Sequence, residues 1–215
     1  MRIILVSVLS SFLVSGTIFG AESGPTNADS TMATPWVRKL AFGILLHDVG
    51  FISDHKQRGG VDPNWEIDFN GPEWRWWRWI GSPSPIAGAT PSFNANKTSA
   101  FYFGLGWEIS LSNTFLNNLT NDFSKRLWLS PGVTWAVHTG PLQKDEAGCR
   151  ADSDCGFGYR VIPRVQLELG GTFWQNHAVS LFIDHMSHKG LGRAQNQGLD
   201  HTGIRYHFRF NTPSP

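Results

Sequence analysis

Charge is scarce in this chain. Only 16% of its 215 residues are Asp, Glu, Lys or Arg, and they nearly cancel, leaving a formal net charge of +1. Without a basic surplus there is no electrostatic footprint for a nucleic-acid partner. Cysteine is almost missing: Cys149 and Cys155 are the two present, fewer ligands than a cysteine-based zinc site needs. After the first two dozen residues no apolar run is long enough to cross a bilayer as a helix. Long helix-favouring runs are few as well. Nucleic-acid binding, cysteine-zinc scaffolding and helical membrane spans therefore fall away, and no cofactor motif appears.

What is present in quantity is glycine and aromatic side chains: 23 Gly, 15 Phe and 10 Trp. The tryptophans cluster near the ends of predicted strands, as in a membrane-interface belt. The N-terminus has Arg2, an apolar run through Val14, and small residues at Gly20 and Ala21. That layout predicts a secretory signal peptide over residues 1–21. Residues 22–35, rich in Ser, Thr, Gly and Pro, read as a flexible lead-in, and residues 211–215 as a short tail. In an exported chain Cys149 and Cys155 form a candidate loop disulfide, with free thiols as the alternative.

From residue 36 to residue 210 the pattern has period two. Phe42, Ile44 and Leu46 share one parity, as do Trp65, Ile67 and Phe69. Phe101, Phe103, Leu105, Trp107, Ile109 and Leu111 continue it, then Val133, Trp135 and Val137, then Val165, Leu167 and Leu169. Val179, Leu181 and Ile183 precede the closing Ile204, Tyr206, Phe208 and Phe210. Such alternation is a strand signal. With a weaker strand around residues 86–93, eight strands result. The expected fold is an all-β, eight-stranded antiparallel transmembrane β-barrel, apolar side chains facing lipid and polar ones the lumen. Glu108, Arg164, Glu168, Arg205 and Arg209 are then lumen residues able to pair. The alternative is a soluble barrel with a greasy interior. Bulky Phe, Trp and Leu would crowd so small a lumen, and Gly104, Gly132, Gly170 and Gly203 fall on the polar parity, which favours lipid outside. The connection from Asn113 to Lys125 is longer than a periplasmic turn needs.

Chemistry gathers late in the chain. On the apolar parity, Val179, Leu181 and Ile183 are followed by His185 and Ser187, and Asp200 shares parity with Ile204 and Tyr206. A base, a hydroxyl and a carboxylate at the end of an apolar face suggest a nucleophilic hydrolase working against oil. With both termini in the periplasm, these residues lie in the outer leaflet. His47, His138, His201 and His207 read as lumen or rim residues. The Trp74–Trp79 cluster reads as an interface belt with Arg75 and Arg78 at headgroups, a lipid phosphate contact being the sharper alternative.

His185-Met186-Ser187, followed by Gly198-Leu199-Asp200 and Gly203-Ile204-Arg205-Tyr206, resembles the lipid A 3-O-deacylase family (PagL-like acyloxyacyl hydrolases). Looser matches lie at His47-Asp48, at residues 77–83 and at residues 136–140. The resemblance implies an outer-membrane barrel whose Ser-His-acid triad faces lipid A of lipopolysaccharide, with no metal. It implies Ser187 as nucleophile, His185 as base and Asp200 as the acid. The Gly190 backbone N–H and the Asn196 side chain fall where the family forms its oxyanion hole. Two positions depart from the family: His188 stands where Asn is usual, and Asp200 where Glu is usual. His188 is therefore a further candidate at the substrate. An outer-membrane phospholipase and a non-enzymatic structural or adhesion barrel are the alternatives, and pairing into a homodimer stays open.

Overall fold

A computed structural model describes residues 36–53, 59–93, 97–111, 126–143, 156–188 and 196–210. The predicted leader and lead-in, the Asn113–Lys125 connection, Cys149, Cys155, Gly190 and the tail lie outside the described residues.

The strands are β1 (Val37–His47), β2 (Gly60–Phe69), β3 (Ser84–Thr90), β4 (Ala100–Gly106), β5 (Ile109–Ser110), β6 (Leu127–His138), β7 (Val161–Trp174), β8 (His177–Met186) and β9 (Leu199–Arg209). Each pairs antiparallel with its neighbour, and β1 pairs with β9, closing the sheet on itself. β4 and β5 both pair with β6 in one continuous register, Gly106 opposite Gly132 and Ile109 opposite Leu129. They are one barrel strand with a single interruption, so the barrel has eight strands, as the alternation predicts. Pro131 causes the interruption. It has no N–H to give to Trp107 across the ladder; the Ser130 hydroxyl donates to the Trp107 carbonyl instead, at 2.6 Å.

The two faces are inverted relative to a water-soluble protein. Phe42, Ile44, Phe103, Trp135, Val165, Leu181 and Ile204 are exposed. Lys39, Glu66, Arg164, Glu168, Asp184, Arg205 and His207 are buried inside. A soluble barrel would present the reverse, so the greasy-interior alternative is excluded. Closure also pairs the first strand with the last, so neither of them is left as a free edge in lipid.

Ion pairs fill the lumen. Arg205 donates to Glu66 at 3.1 Å, to Glu168, and to the Tyr102 hydroxyl at 2.9 Å. Its guanidinium also lies 3.7 Å from the Phe182 ring centre. At one end of the barrel, Arg209 and Arg38 converge on Glu108 at 2.7 and 3.1 Å, and Lys39 pairs with Asp68 at 2.9 Å. Burial of these charges is offset by such pairing; alone, each would be costly. Glycines make the room: a Cβ on Gly170 would stand 2.1 Å from the Trp128 ring.

The Trp cluster forms a one-turn helix, α1 (Arg75–Trp79), between β2 and β3. Its rings stack, Trp74 on Trp76 at 5.3 Å between centres, and Trp77 Nε1 donates to the Pro83 carbonyl at 2.8 Å. This helix sits at the barrel end where Val37 pairs with Phe69. His47, Met186 and Leu199 mark the opposite end. The cluster and the His185 region therefore cannot touch the same lipid headgroup.

Candidate active site

β8 leaves the lipid-facing row Val179, Leu181, Ile183 and arrives at His185 on the same face. β9 enters the barrel with Asp200, the register partner of His185. Directly opposed side chains on neighbouring strands are within reach of each other. The His185 Nδ1 lies 2.6 Å from Asp200 Oδ1. Asp200 is fully buried, whereas the His185 ring keeps about a fifth of its surface open.

The second carboxylate oxygen of Asp200 is held by a segment far away in sequence. The backbone N–H groups of Ile52 and Ser53 donate to Oδ2, each at 2.8 Å, and the Ser53 hydroxyl joins them at 3.0 Å. Val49 N–H donates to the Asp200 carbonyl at 3.1 Å. The segment turns sharply on leaving β1, with Asp48 and Gly50 at φ 50° and 66°. These three donors fix an ionised carboxylate and its orientation.

Ser187 stands one residue beyond β8, where its backbone N–H extends the ladder to the Pro163 carbonyl at 3.0 Å. The strand ends at Met186, where its pairing with β7 ends at Arg164. The amide of Asn196 brackets the serine: Nδ2 donates to Ser187 Oγ at 2.7 Å, and Oγ lies 3.0 Å from Oδ1. Asn196 Oδ1 also accepts the His188 N–H at 3.2 Å. The His188 ring turns the other way. It is buried and meets Tyr159 edge-on at 5.0 Å between centres. Only its backbone is thus seen on the Ser187 side.

The contacts thus form two pairs at the same end of the barrel, His185 with the buried Asp200 and Ser187 with Asn196. Sequence reading missed Ile52 and Ser53, whose backbone donors carry no side-chain signature. Gly198 entered that reading as part of the segment before Asp200, without a packing role. That residue has φ 68°, and a Cβ there would stand 2.9 Å from Ser53 Cβ and 3.1 Å from His185 Cε1. A glycine two residues before the acid was the available signal.

Fold and site together define a transmembrane β-barrel with a histidine–carboxylate pair and a serine at one end of its lipid-facing side. The profile of the Lipid A 3-O-deacylase (PagL) family matches residues 59–209, and the chain belongs to that family of outer-membrane hydrolases. A crystal structure of the outer membrane enzyme PagL superposes with a TM-score of 0.50 at 12% identity, covering 80% of this chain and 99% of that one. That likeness supports the barrel fold. No curated protein matches the chain.

Proposed function

We propose that this protein is an esterase that removes the ester-linked 3-O acyl chain of lipid A, using Ser187, His185 and Asp200 as a triad in the outer leaflet. One observation carries the reading most: a histidine and a buried, oriented carboxylate are paired at 2.6 Å on the lipid-facing side of a barrel. Burying and orienting a carboxylate there without chemistry to serve would be costly.

The geometry supports these roles. Asp200, fixed by Ile52 and Ser53, accepts from His185 Nδ1, leaving Nε2 as the base. His185 takes the Ser187 proton as Oγ attacks the ester carbonyl. The Asn196 Nδ2–H that reaches Oγ in the resting site is the donor for the oxyanion, with the Gly190 N–H proposed beside it; each such donor is worth about 3 kcal/mol in a dry site. His185 then protonates the departing sugar oxygen, and water releases the acyl chain as a fatty acid. The substrate stays in its leaflet throughout, so a shallow site suffices. Outer-leaflet placement is supported by the ends of the barrel: at the opposite end, Trp174 and His177 flank a two-residue turn typical of the periplasmic side.

The test is mass spectrometry of lipid A from Gram-negative cells expressing the chain or its Ser187→Ala variant. Loss of one acyl mass with the parent alone establishes the deacylase and its nucleophile. Unchanged lipid A, from protein shown folded in the outer membrane, rejects the reading; phospholipid cleavage in the same cells would reassign the substrate.

A further inference from the structure

Behind the outward-facing site, inside the barrel, lies a cluster that the proposed esterase chemistry does not use. His47 ends β1, His201 faces it in register from β9, and Asp62 comes from β2. All three are buried. One ligand atom from each lies within 4.8 Å of the others.

We propose that His47, Asp62 and His201 form an intrabarrel site for a divalent transition-metal cation of the zinc type. His201 supplies the argument. Its Nδ1 lies 2.9 Å from Asp184 Oδ1. Asp184 is held as an anion by Arg164, whose Nη2 and Nε donate to Oδ2 at 2.6 and 3.1 Å. An anion at that distance accepts a proton, so Nδ1 carries the hydrogen and Nε2 presents its lone pair. That Nε2 is buried and has no hydrogen-bond partner among the described residues. It faces Asp62 Oδ2 at 4.0 Å. That oxygen already takes a hydrogen bond from His47 Nδ1 at 2.5 Å, but the other, Asp62 Oδ1, is buried and, like His201 Nε2, has no hydrogen-bond partner among the described residues.

A cation between them satisfies both. Zinc–imidazole and zinc–carboxylate bonds are each about 2.0–2.2 Å in tetrahedral geometry, which sets ligand atoms about 3.3 Å apart, so His201 and the Asp62 carboxylate, now 4.0 Å apart, would close slightly around the ion. His47 Nδ1, hydrogen-bonded to Asp62 Oδ2 at 2.5 Å, would release that proton on metal binding, move off the carboxylate and supply the third ligand. Two imidazoles and one carboxylate suit zinc and its transition-metal neighbours better than calcium or magnesium. The Asp184–His201 pair is the carboxylate–histidine arrangement that orients metal-binding imidazoles. A proton on His201 Nε2 is the competing occupant, and it predicts no metal uptake.

The cation would position residues rather than touch substrate. His47 leads directly into the segment whose Ile52 and Ser53 hold Asp200, and His201 follows Asp200 on β9. One ion would tie both ends of that cradle together.

The whole chain is unfolded in urea and refolded in detergent with zinc or cobalt(II) present. Metal per chain is measured after chelator washing, alongside the cobalt visible spectrum and thermal unfolding. The expected result is one retained equivalent, a nitrogen-ligated cobalt spectrum, and a raised Tm. His201→Gln and Asp62→Asn should lose all three, while His177→Gln, at the other end of the barrel, should keep them. Folding of each variant is read from heat-modifiable gel mobility. Parent protein that retains no zinc and gives no cobalt spectrum overturns the proposal whatever the variants do. So does metal retained equally by folded His201→Gln and Asp62→Asn.

Discussion

Gly198 lies so close to His185 that a side chain there would crowd the imidazole. A Cβ at position 198 would come within 3.1 Å of the imidazole Cε1, on a backbone already at φ 68°. Gly198→Ala should therefore push the ring away from its aligned position while the barrel remains closed. The ring would have to give by a few tenths of an ångström, so the expected loss is a sizeable part of the about 10²-fold that a 1 Å misplacement costs. Ester hydrolysis by the variant in mixed micelles, with heat-modifiable mobility as the folding control, checks this.

Asp200→Asn removes the charge and keeps the shape. The amide would present N–H to His185 or to the Ile52 and Ser53 donors, and either choice breaks the arrangement. In serine hydrolases the equivalent change lowers kcat by about 10⁴-fold through the wrong imidazole tautomer. Steady-state kinetics should show that loss chiefly in kcat. A variant within tenfold of the parent would remove Asp200 from the triad.

Asn196→Ala separates oxyanion support from substrate binding. The proposed oxyanion donor would act on charge that exists only in the transition state. The expected loss is about 10²–10³ in kcat with KM little changed. A large rise in KM at unchanged kcat would assign Asn196 to holding the ground-state lipid instead.

Arg205→Leu leaves Glu66 and Glu168 buried with their shared cation gone. Breaking a buried ion pair from one side costs about 3–5 kcal/mol. The shift of the urea midpoint for folding into detergent or thin bilayers measures it. Adding Glu168→Gln should recover part of the loss, since one uncompensated charge is removed.

Leu181→Arg reads the other face. Leu181 is exposed on the lipid side, midway along β8. Placing a guanidinium there should destabilise the inserted barrel by about 2–4 kcal/mol. The same folding titration in vesicles would show it, and no loss would argue against lipid contact at this position.

Much of this was legible in the alternation. The parity of Phe42, Trp135, Leu167 and Leu181 sets the outer face, and the same parity carries His185, Ser187 and Asp200 to one end of it. β3 was the faint strand because its outward positions are Pro85, Ala87 and Ala89, while its largest apolar residue, Ile86, points inward. The interruption at Trp107 depends on Pro131, a residue on the partner strand, so no window around Trp107 contains it. The Ile52 and Ser53 donors were illegible for a related reason. They are backbone groups, and they meet Asp200 only once β1 lies beside β9. His188 stood next to the candidate nucleophile, but neighbouring residues at a strand end face opposite sides, and its ring went to Tyr159.

The seam between the first and last strands has a consequence for the protein's journey. Asp200 takes its hydrogen bonds from Ser53, 147 positions earlier in the chain, and those donors arrive only when the sheet closes. A polypeptide crossing the periplasm carries every residue of the proposed triad but not the pocket that aligns its acid. Reactivity toward lipid esters would then switch on with insertion itself, sparing the membranes passed on the way without any separate inhibitor.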